Sequence, residues 1–305
     1  MNLLGMNIKK RFHEPVLLKE AIEYLRIKPG EKYIDATVGG GGHAQAMIAL
    51  GGRVLGIDCD PEAISAARKY LSSACPLRRD VGVNTSWRLA RGSFAGLQRI
   101  AQAHGFNKVR GILFDLGVSG YQLETADRGF SFNLEGPLDM RMNPDLKVKA
   151  ADLVNGLNKR ELNELFEKLG EEDDSGRISQ AICCARQIAP ITTTKQLAEI
   201  IVKARRKRGR FEKTHPATRC FQALRIAVND ELNNLRIALP QAVGLLKKEG
   251  RLLVISFHSG EDRIVKQFFR ENLRLVTKKP IRATKEEIVA NPRSRSAKLR
   301  VGEKR

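Results

Sequence analysis

The chain has 305 residues, 42% of them hydrophobic and 29% charged, so it can bury a core and is long enough for two domains or for one domain with an insertion. Its net charge of +20 argues for a polyanionic partner, most simply nucleic acid, over a basic surface kept for solubility. The chain has no apolar run of transmembrane length, no signal-peptide pattern in residues 1–11, and no zinc-ligand spacing among its cysteines and histidines. We therefore expect a cytoplasmic protein without membrane segments or metal.

A first helix is predicted over residues 15–26, and residues 33–60 then predict a strand, a turn, a helix and a second strand ending in Asp58. The turn, residues 39–43, reads GGGGH. Glycines let the backbone approach a ligand, a helix start presents free N–H groups, and an acid ending the next strand can grip a ribose. This order favours a site for an adenosine-containing cofactor over a merely flexible turn.

Two further strands are predicted, over residues 87–90 and 109–115. Phe94 follows the first, where its ring could stack on an adenine, although its residue type alone favours a core role. Asp115 ends the second. Because ligands of doubly wound sheets lie beyond the carboxyl ends of the strands, Asp58 and Asp115 are expected to face one crevice. The Asp115 carboxylate could receive a proton, bind an amino group or simply cap a turn.

The strand–helix alternation stops after residue 119, and residues 121–211 show no convincing strand. We predict an inserted all-helical domain over residues 120–213 and a discontinuous α/β domain over residues 1–119 and 214–305. The insertion is predicted to contain helices at residues 150–153, 159–169, 177–187 and 194–204. The second α/β segment is predicted to contain a helix at 217–238, a helix starting at Pro240, a strand at 251–257 and an antiparallel pair at 273–277 and 298–301.

A dense basic run, residues 203–210, closes the insertion, and a second basic region occupies the tail. Such a run is typical of either a solvated loop or a phosphate-binding arm. The second basic region favours the arm.

Several blocks together resemble the MraW family of ribosomal RNA small-subunit methyltransferases. They are residues 13–18 (HEPVLL), 39–43 (GGGGH), 115–119 (DLGVS), 128–132 (RGFSF), 136–142 (GPLDMRM), 215–219 (HPATR), 221–226 (FQALRI) and 255–259 (ISFHS).

The resemblance implies a class I methyltransferase fold, a Rossmann-like doubly wound sheet interrupted by a helical substrate-recognition domain. It implies S-adenosylmethionine as methyl donor and, as substrate, the N4 of one cytidine in 16S rRNA, in the decoding centre near the P site. The partner would be 16S rRNA or the small ribosomal subunit, and the enzyme a monomer or homodimer. The donor contacts it implies are Gly41, Gly42, His43, Asp58, Phe94, Asp115 and Gln122.

The exocyclic amine of cytosine is a poor nucleophile, so the enzyme must orient it toward the methyl group and accept its hydrogens. Asp115 and the backbone carbonyls of residues 116–119 are the predicted acceptors. Asp139, Arg141 and His258 are weaker candidates, for the base edge or a phosphate, and the alternative for residues 139–142 is a salt-bridged loop that holds the insertion in place.

Two other classes of protein remain as alternatives. A nicotinamide-dependent oxidoreductase would use the same turn and acid but leaves the +20 charge unexplained. A non-catalytic RNA-binding protein explains the charge but not two aspartates converging on a glycine turn.

Overall fold

The computed structural model describes residues 15–74, 87–205 and 215–305. The chain divides into two compact units, the first comprising Met1–Ser119 and Leu232–Arg305 and the second Gly120–Glu231. None of the described helices is both long and apolar enough to cross a bilayer.

The described part of the first unit contains one seven-stranded sheet in the order β3-β2-β1-β4-β5-β7-β6. Its strands are β1 Lys32–Asp35, β2 Arg53–Asp58, β3 Trp87–Arg91, β4 Val109–Asp115, β5 Leu246–Ser256, β6 Arg274–Leu275 and β7 Lys298–Glu303. Strands β1 to β5 pair in parallel, whereas β7 is antiparallel to both β5 and β6, which is the pair predicted for the tail. The predicted Rossmann-like, doubly wound fold of a class I methyltransferase is confirmed.

Helices of the first unit cover both faces of this sheet. In chain order the helices of the two units are α1 Leu18–Leu25, α2 Gly42–Ala49, α3 Pro61–Ala74, α4 Leu97–Ala103, α5 Gly120–Glu124, α6 Ala150–Gly156, α7 Lys159–Gly170, α8 Ser175–Ile188, α9 Thr194–Ala204, α10 Thr218–Asn229, α11 Glu231–Leu245, α12 Ser259–Asn272 and α13 Lys285–Ala290. Side chains alternate along the strands, so Ile34 packs with α4, α11 and α12 while Tyr33 packs with α1, α2 and α3. A central parallel sheet buried on both faces needs such apolar strands.

The second unit is helical in its described residues, with one isolated β-bridge between Pro137 and Thr193. Helices α7 and α10 pack so closely that a Cβ on Gly170 would lie 2.6 Å from the Arg219 carbonyl oxygen. The Asn229 side chain accepts a hydrogen bond from Met142 N–H (2.7 Å) and donates to the Met140 carbonyl (2.8 Å). These contacts explain why α10 belongs to this unit, so the predicted boundary at 213/214 moves to 231/232.

The predicted single helix over residues 217–238 is two helices, because Asp230 takes a left-handed conformation (φ 50°) that ends α10. Pro240 was predicted to start a helix, but it lies inside α11.

Candidate active site

Three aspartates end three neighbouring strands of the first unit. Asp35 is the last residue of β1, Asp58 of β2 and Asp115 of β4, and β1 lies between the other two. Because parallel strands end at the same edge of a sheet, the three carboxylates share one crevice. The predicted convergence of Asp58 and Asp115 is therefore present. Asp35 was not among the residues predicted from the sequence, although it ends the first strand just before the glycine turn, where a site residue is expected.

The glycine turn needs its glycines for backbone conformation. Gly39 and Gly41 have φ of 49° and 87°, a region that side-chain-bearing residues rarely occupy. The Gly39 N–H donates to Asp58 Oδ2 (2.9 Å), and the Gly41 N–H donates to the Val38 carbonyl (2.7 Å). Helix α2 then begins at Gly42. The turn thus brings its backbone against the carboxylate that ends the next strand.

Backbone N–H groups hold the Asp58 side chain in place. Besides Gly39, Asp60 donates its N–H to Asp58 Oδ1 (3.0 Å), and Asp60 in turn accepts from the Glu62 N–H at the start of α3 (2.9 Å). Each carboxylate oxygen can accept a second hydrogen bond, so the pair is still able to grip two hydroxyl groups. Burial raises the pKa of Asp58 to about 6.

Asp35 is the most buried acid of the crevice, at 1% exposure. Its Oδ1 accepts a hydrogen bond from the Thr37 N–H (3.3 Å), whereas its buried Oδ2 has no hydrogen-bond partner among the described residues. Burial first, and then the charges of Asp115 and Asp58, raise the pKa of Asp35 to about 8. The three carboxyl groups of the crevice are therefore not all ionised at neutral pH. A cationic ligand would favour their ionised forms, so the arrangement suits such a ligand.

His43 lies between the segment before α1 and Asp115. Its side chain is buried (4% exposed), and its Nε2 lies 3.1 Å from the Val16 carbonyl, to which only a protonated Nε2 can donate. Its Nδ1 lies 3.8 Å from Asp115 Oδ2. The Asp115 N–H donates to Thr37 Oγ1 (2.6 Å), which fixes the end of β4 against the glycine turn. The His43 ring thus lies beside the Asp115 carboxylate and within hydrogen-bond distance of the 15–17 segment.

Phe94 and Gln122 occupy different units. Phe94 lies in a 3₁₀ turn after β3, half-buried, with its ring edge-on to Phe114 at 5.7 Å between centroids. It is thus anchored at the crevice end of the sheet without being fully buried. Gln122 is buried in α5 of the second unit.

His258 follows β5 and caps α12. Its Nδ1 accepts a hydrogen bond from the Glu261 N–H (3.4 Å), and Glu261 Oε2 accepts from the N–H groups of Phe257 (2.8 Å) and His258 (3.3 Å). The two residues form a reciprocal capping box, which accounts for His258 structurally.

Asp139 and Arg141 hold a loop of the second unit. Arg141 donates from Nε and Nη2 to the two oxygens of Asp139 (2.7 and 2.8 Å) and from Nη1 to the carbonyls of Pro144 (2.8 Å) and Leu146 (2.6 Å). The side chains are 18% and 17% exposed. This is the salt-bridged loop that sequence analysis gave as the alternative to substrate contact.

Replacing Arg141 by Ala should lower the free energy of unfolding of the second unit by about 2 kcal/mol. It removes the donors of two carbonyls and leaves the Asp139 carboxylate with the residue-141 N–H (3.1 Å) and the more distant Lys149 ammonium (3.7 Å). Arg160→Ala in the same unit is the control. Arg160 is 89% exposed and, within the described part of the chain, pairs with Glu164 across one helical turn, so its loss should have little effect on stability. Urea-dependent hydrogen exchange of second-unit peptides would measure both, and equal effects would contradict the structural role.

Arg205, which was predicted to belong to the phosphate-binding arm, lies beside two buried acids instead. Its Nε lies 3.5 Å from Glu172 and 3.8 Å from Asp174, and its side chain is only 10% exposed. An arginine held by two buried acids is not a phosphate-binding residue of a solvated arm. The rest of the run, residues 206–210, lies outside the described part of the chain.

Comparison with known proteins gives one family. A model of the MraW methylase family matches residues 10–305. A Thermomicrobium roseum protein named "Ribosomal RNA small subunit methyltransferase H" is 47% identical, covering 96% of this chain and 93% of its own. Proteins of the same name from Nitrosococcus oceani and Deinococcus radiodurans are 46% and 48% identical, covering 96% of this chain and 96% and 89% of theirs.

Proposed function

Since the chain belongs to the MraW methylase family, we propose that it transfers a methyl group from S-adenosylmethionine to the exocyclic N4 of a cytidine in 16S rRNA, in the decoding centre near the P site. The observation that carries the proposal is the triad of aspartates at the carboxyl ends of β1, β2 and β4, around a glycine turn. The names of the relatives support the rRNA substrate.

The crevice of the first unit fits the donor. Bound S-adenosylmethionine supplies a methyl group activated by a sulfonium cation. The orphaned buried oxygen of Asp35 and the raised pKa values of Asp35 (about 8) and Asp58 (about 6) favour a positively charged ligand. Asp58 would bind the ribose hydroxyls, and Phe94 would contact the adenine. The proposed donor contacts in the first unit are Gly41, Gly42, His43, Asp58, Phe94 and Asp115. Gln122, the remaining contact that the resemblance implies, belongs to the second unit and stays a prediction.

Asp115 is the proposed acceptor for the cytosine amine. Its carboxylate would accept an amine hydrogen and so direct the nitrogen lone pair toward the methyl group, which is catalysis by positioning and electrostatics. The base must leave its stack to reach a crevice at a strand edge. The helical unit is the proposed substrate-recognition element.

Incubating unmethylated 16S rRNA and small subunits with labelled donor, then digesting to nucleosides, tests the proposal. N4-methylcytidine at one position is the expected product, and a different modified nucleoside would overturn the proposed target atom. Calorimetric titration with S-adenosylmethionine and with NAD separates the methyltransferase from an oxidoreductase, which would bind NAD.

The basic run is proposed to bind RNA phosphates through the residues after Arg205. Replacing Arg206, Lys207 and Arg208 by Gln should flatten the slope of log affinity against log salt concentration by about 2–3, because each phosphate contact contributes about 0.7–0.9.

The control for the arm variant replaces Arg160, Lys168 and Lys195, which are 89%, 68% and 60% exposed in the same unit, and removes the same charge. Filter-binding titrations with 16S rRNA at several salt concentrations would measure both slopes. An unchanged slope in the arm variant would place the run away from the RNA.

A further inference from the structure

A second charged cavity lies at the opposite edge of the sheet. It has a volume of about 200 Å³ and is lined by Leu25, Arg26, Arg110, Glu249, Arg251, Arg274 and Glu303. Arg110 is the second residue of β4 and Asp115 the last. At about 3.3 Å per residue, this places the cavity about 17 Å along the strand from the aspartate crevice. Donor binding therefore leaves the cavity free.

The floor of the cavity is rigid and positively charged. Arg251 is only 6% exposed, donates from Nη1 to the Tyr24 carbonyl (2.6 Å) and pairs through Nε with Glu303 (3.3 Å). Glu303, 5% exposed, also accepts a hydrogen bond from Arg274. One buried carboxylate is thus shared by two guanidinium groups, and the geometry of Arg251 is fixed before any ligand arrives.

The rim adds two more arginines. Among the described residues, the side chains of Arg26 and Arg110 form no ion pair or hydrogen bond, and Glu249 is the only acid lining the rim. Four guanidinium groups and two carboxylates therefore line the cavity. Glu31 acts on Arg110 from outside the lining but is itself paired with Lys247 (2.5 Å), so an excess of positive charge remains. Burial, and then repulsion from Arg26, lowers the pKa of the Arg251 guanidinium, as excess positive charge should.

We propose that this cavity binds a phosphate group, and that its source is a phosphodiester of the rRNA substrate reaching the sheet edge opposite the reacting base. Guanidinium groups bind phosphate through paired N–H donors, and a preformed arginine floor lowers the entropy cost of doing so. The RNA source rests on the proposed function, whereas the phosphate chemistry rests on the cavity alone. Because the cavity lies about 17 Å from the crevice, only a long or folded RNA reaches both.

The test uses the double variant Arg26→Gln/Arg110→Gln in the full chain, which removes the unpaired rim charges and leaves the floor intact. Arg68→Gln/Arg99→Gln is the matched control, because both arginines are exposed on α3 and α4 of the same unit. Inorganic phosphate is titrated while the arginine Nε resonances are followed by NMR. Binding of 16S rRNA and of a short hairpin carrying the target cytidine is then measured against salt.

Phosphate should shift the Arg251 resonance in wild type and control but not in the rim variant. The rim variant should also flatten the salt slope for 16S rRNA by about one relative to the control, and leave the hairpin slope unchanged. If the rim variant loses the phosphate-induced shift but keeps the salt slope of the control for 16S rRNA, the source is a free phosphoanion and the RNA assignment is overturned. The absence of any phosphate shift in wild type would overturn the site itself. Failure of the proposed function would appear separately, as no methyl transfer by wild type.

Discussion

Replacing Asp115 by Asn should lower the turnover of methyl transfer to rRNA by about 10²–10³-fold, because it removes the acceptor proposed to orient the cytosine amine. The substitution conserves shape, and the hydrogen bond from the residue-115 N–H to Thr37 Oγ1 does not involve the side chain. The fold should therefore survive. Single-turnover assays with labelled donor would measure the effect on the chemical step.

Two further variants make the Asp115 result specific. Asp58→Asn should weaken donor binding more than turnover, since Asp58 is proposed to hold the ribose. Glu62→Gln removes a charge from an exposed position at the start of α3 and should leave both nearly unchanged. Wild-type turnover in the Asp115→Asn variant would refute its assignment.

The sheet was predictable from sequence because its signals are local. Apolar runs ending in Asp58 and Asp115 mark strands buried on both faces, and the glycines before α2 mark the turn. Asp35 was missed because its role does not show in local sequence. Its burial and its unpaired oxygen depend on the position of β1 between β2 and β4, and strands become neighbours only in the folded sheet.

The other corrections also come from tertiary contacts. The apolar pattern runs on from α10 into α11, so sequence reads one helix, and the break is a left-handed residue at Asp230. Arg205 looks like any member of a basic run, yet it is paired with Glu172 and Asp174, some thirty residues earlier. Charge runs thus predict an interaction surface better than they predict which of its members are free to interact.

Donor binding should tighten as pH rises from 6 to 8. The folded-state pKa of Asp35, about 8, lies above its ordinary value of 3.8, so the free protein keeps this proton at pH 6 and has lost half of it at pH 8. A cation bound beside the three aspartates favours ionised Asp35, and binding therefore releases a proton. By linkage, affinity gains up to about tenfold per pH unit in this window, and the gain ends above the free-protein pKa.

The same linkage fixes the sign for the ligand-free protein. The stabilising contribution of protonated Asp35 is fully present below the unfolded pKa and is lost as pH rises through about 8, so Asp35→Asn should be more stable than wild type at pH 8 but not at pH 4.

S-adenosylhomocysteine, which lacks the sulfonium charge, should bind with a weaker pH dependence than S-adenosylmethionine. Calorimetric titration of the wild-type protein with each ligand, at pH 6 and 8 and in two buffers of different ionisation enthalpy, would give the number of protons released on binding. Equal pH dependence for the two ligands, or none for either, would mean that the crowded carboxylates do not select the charge of the donor.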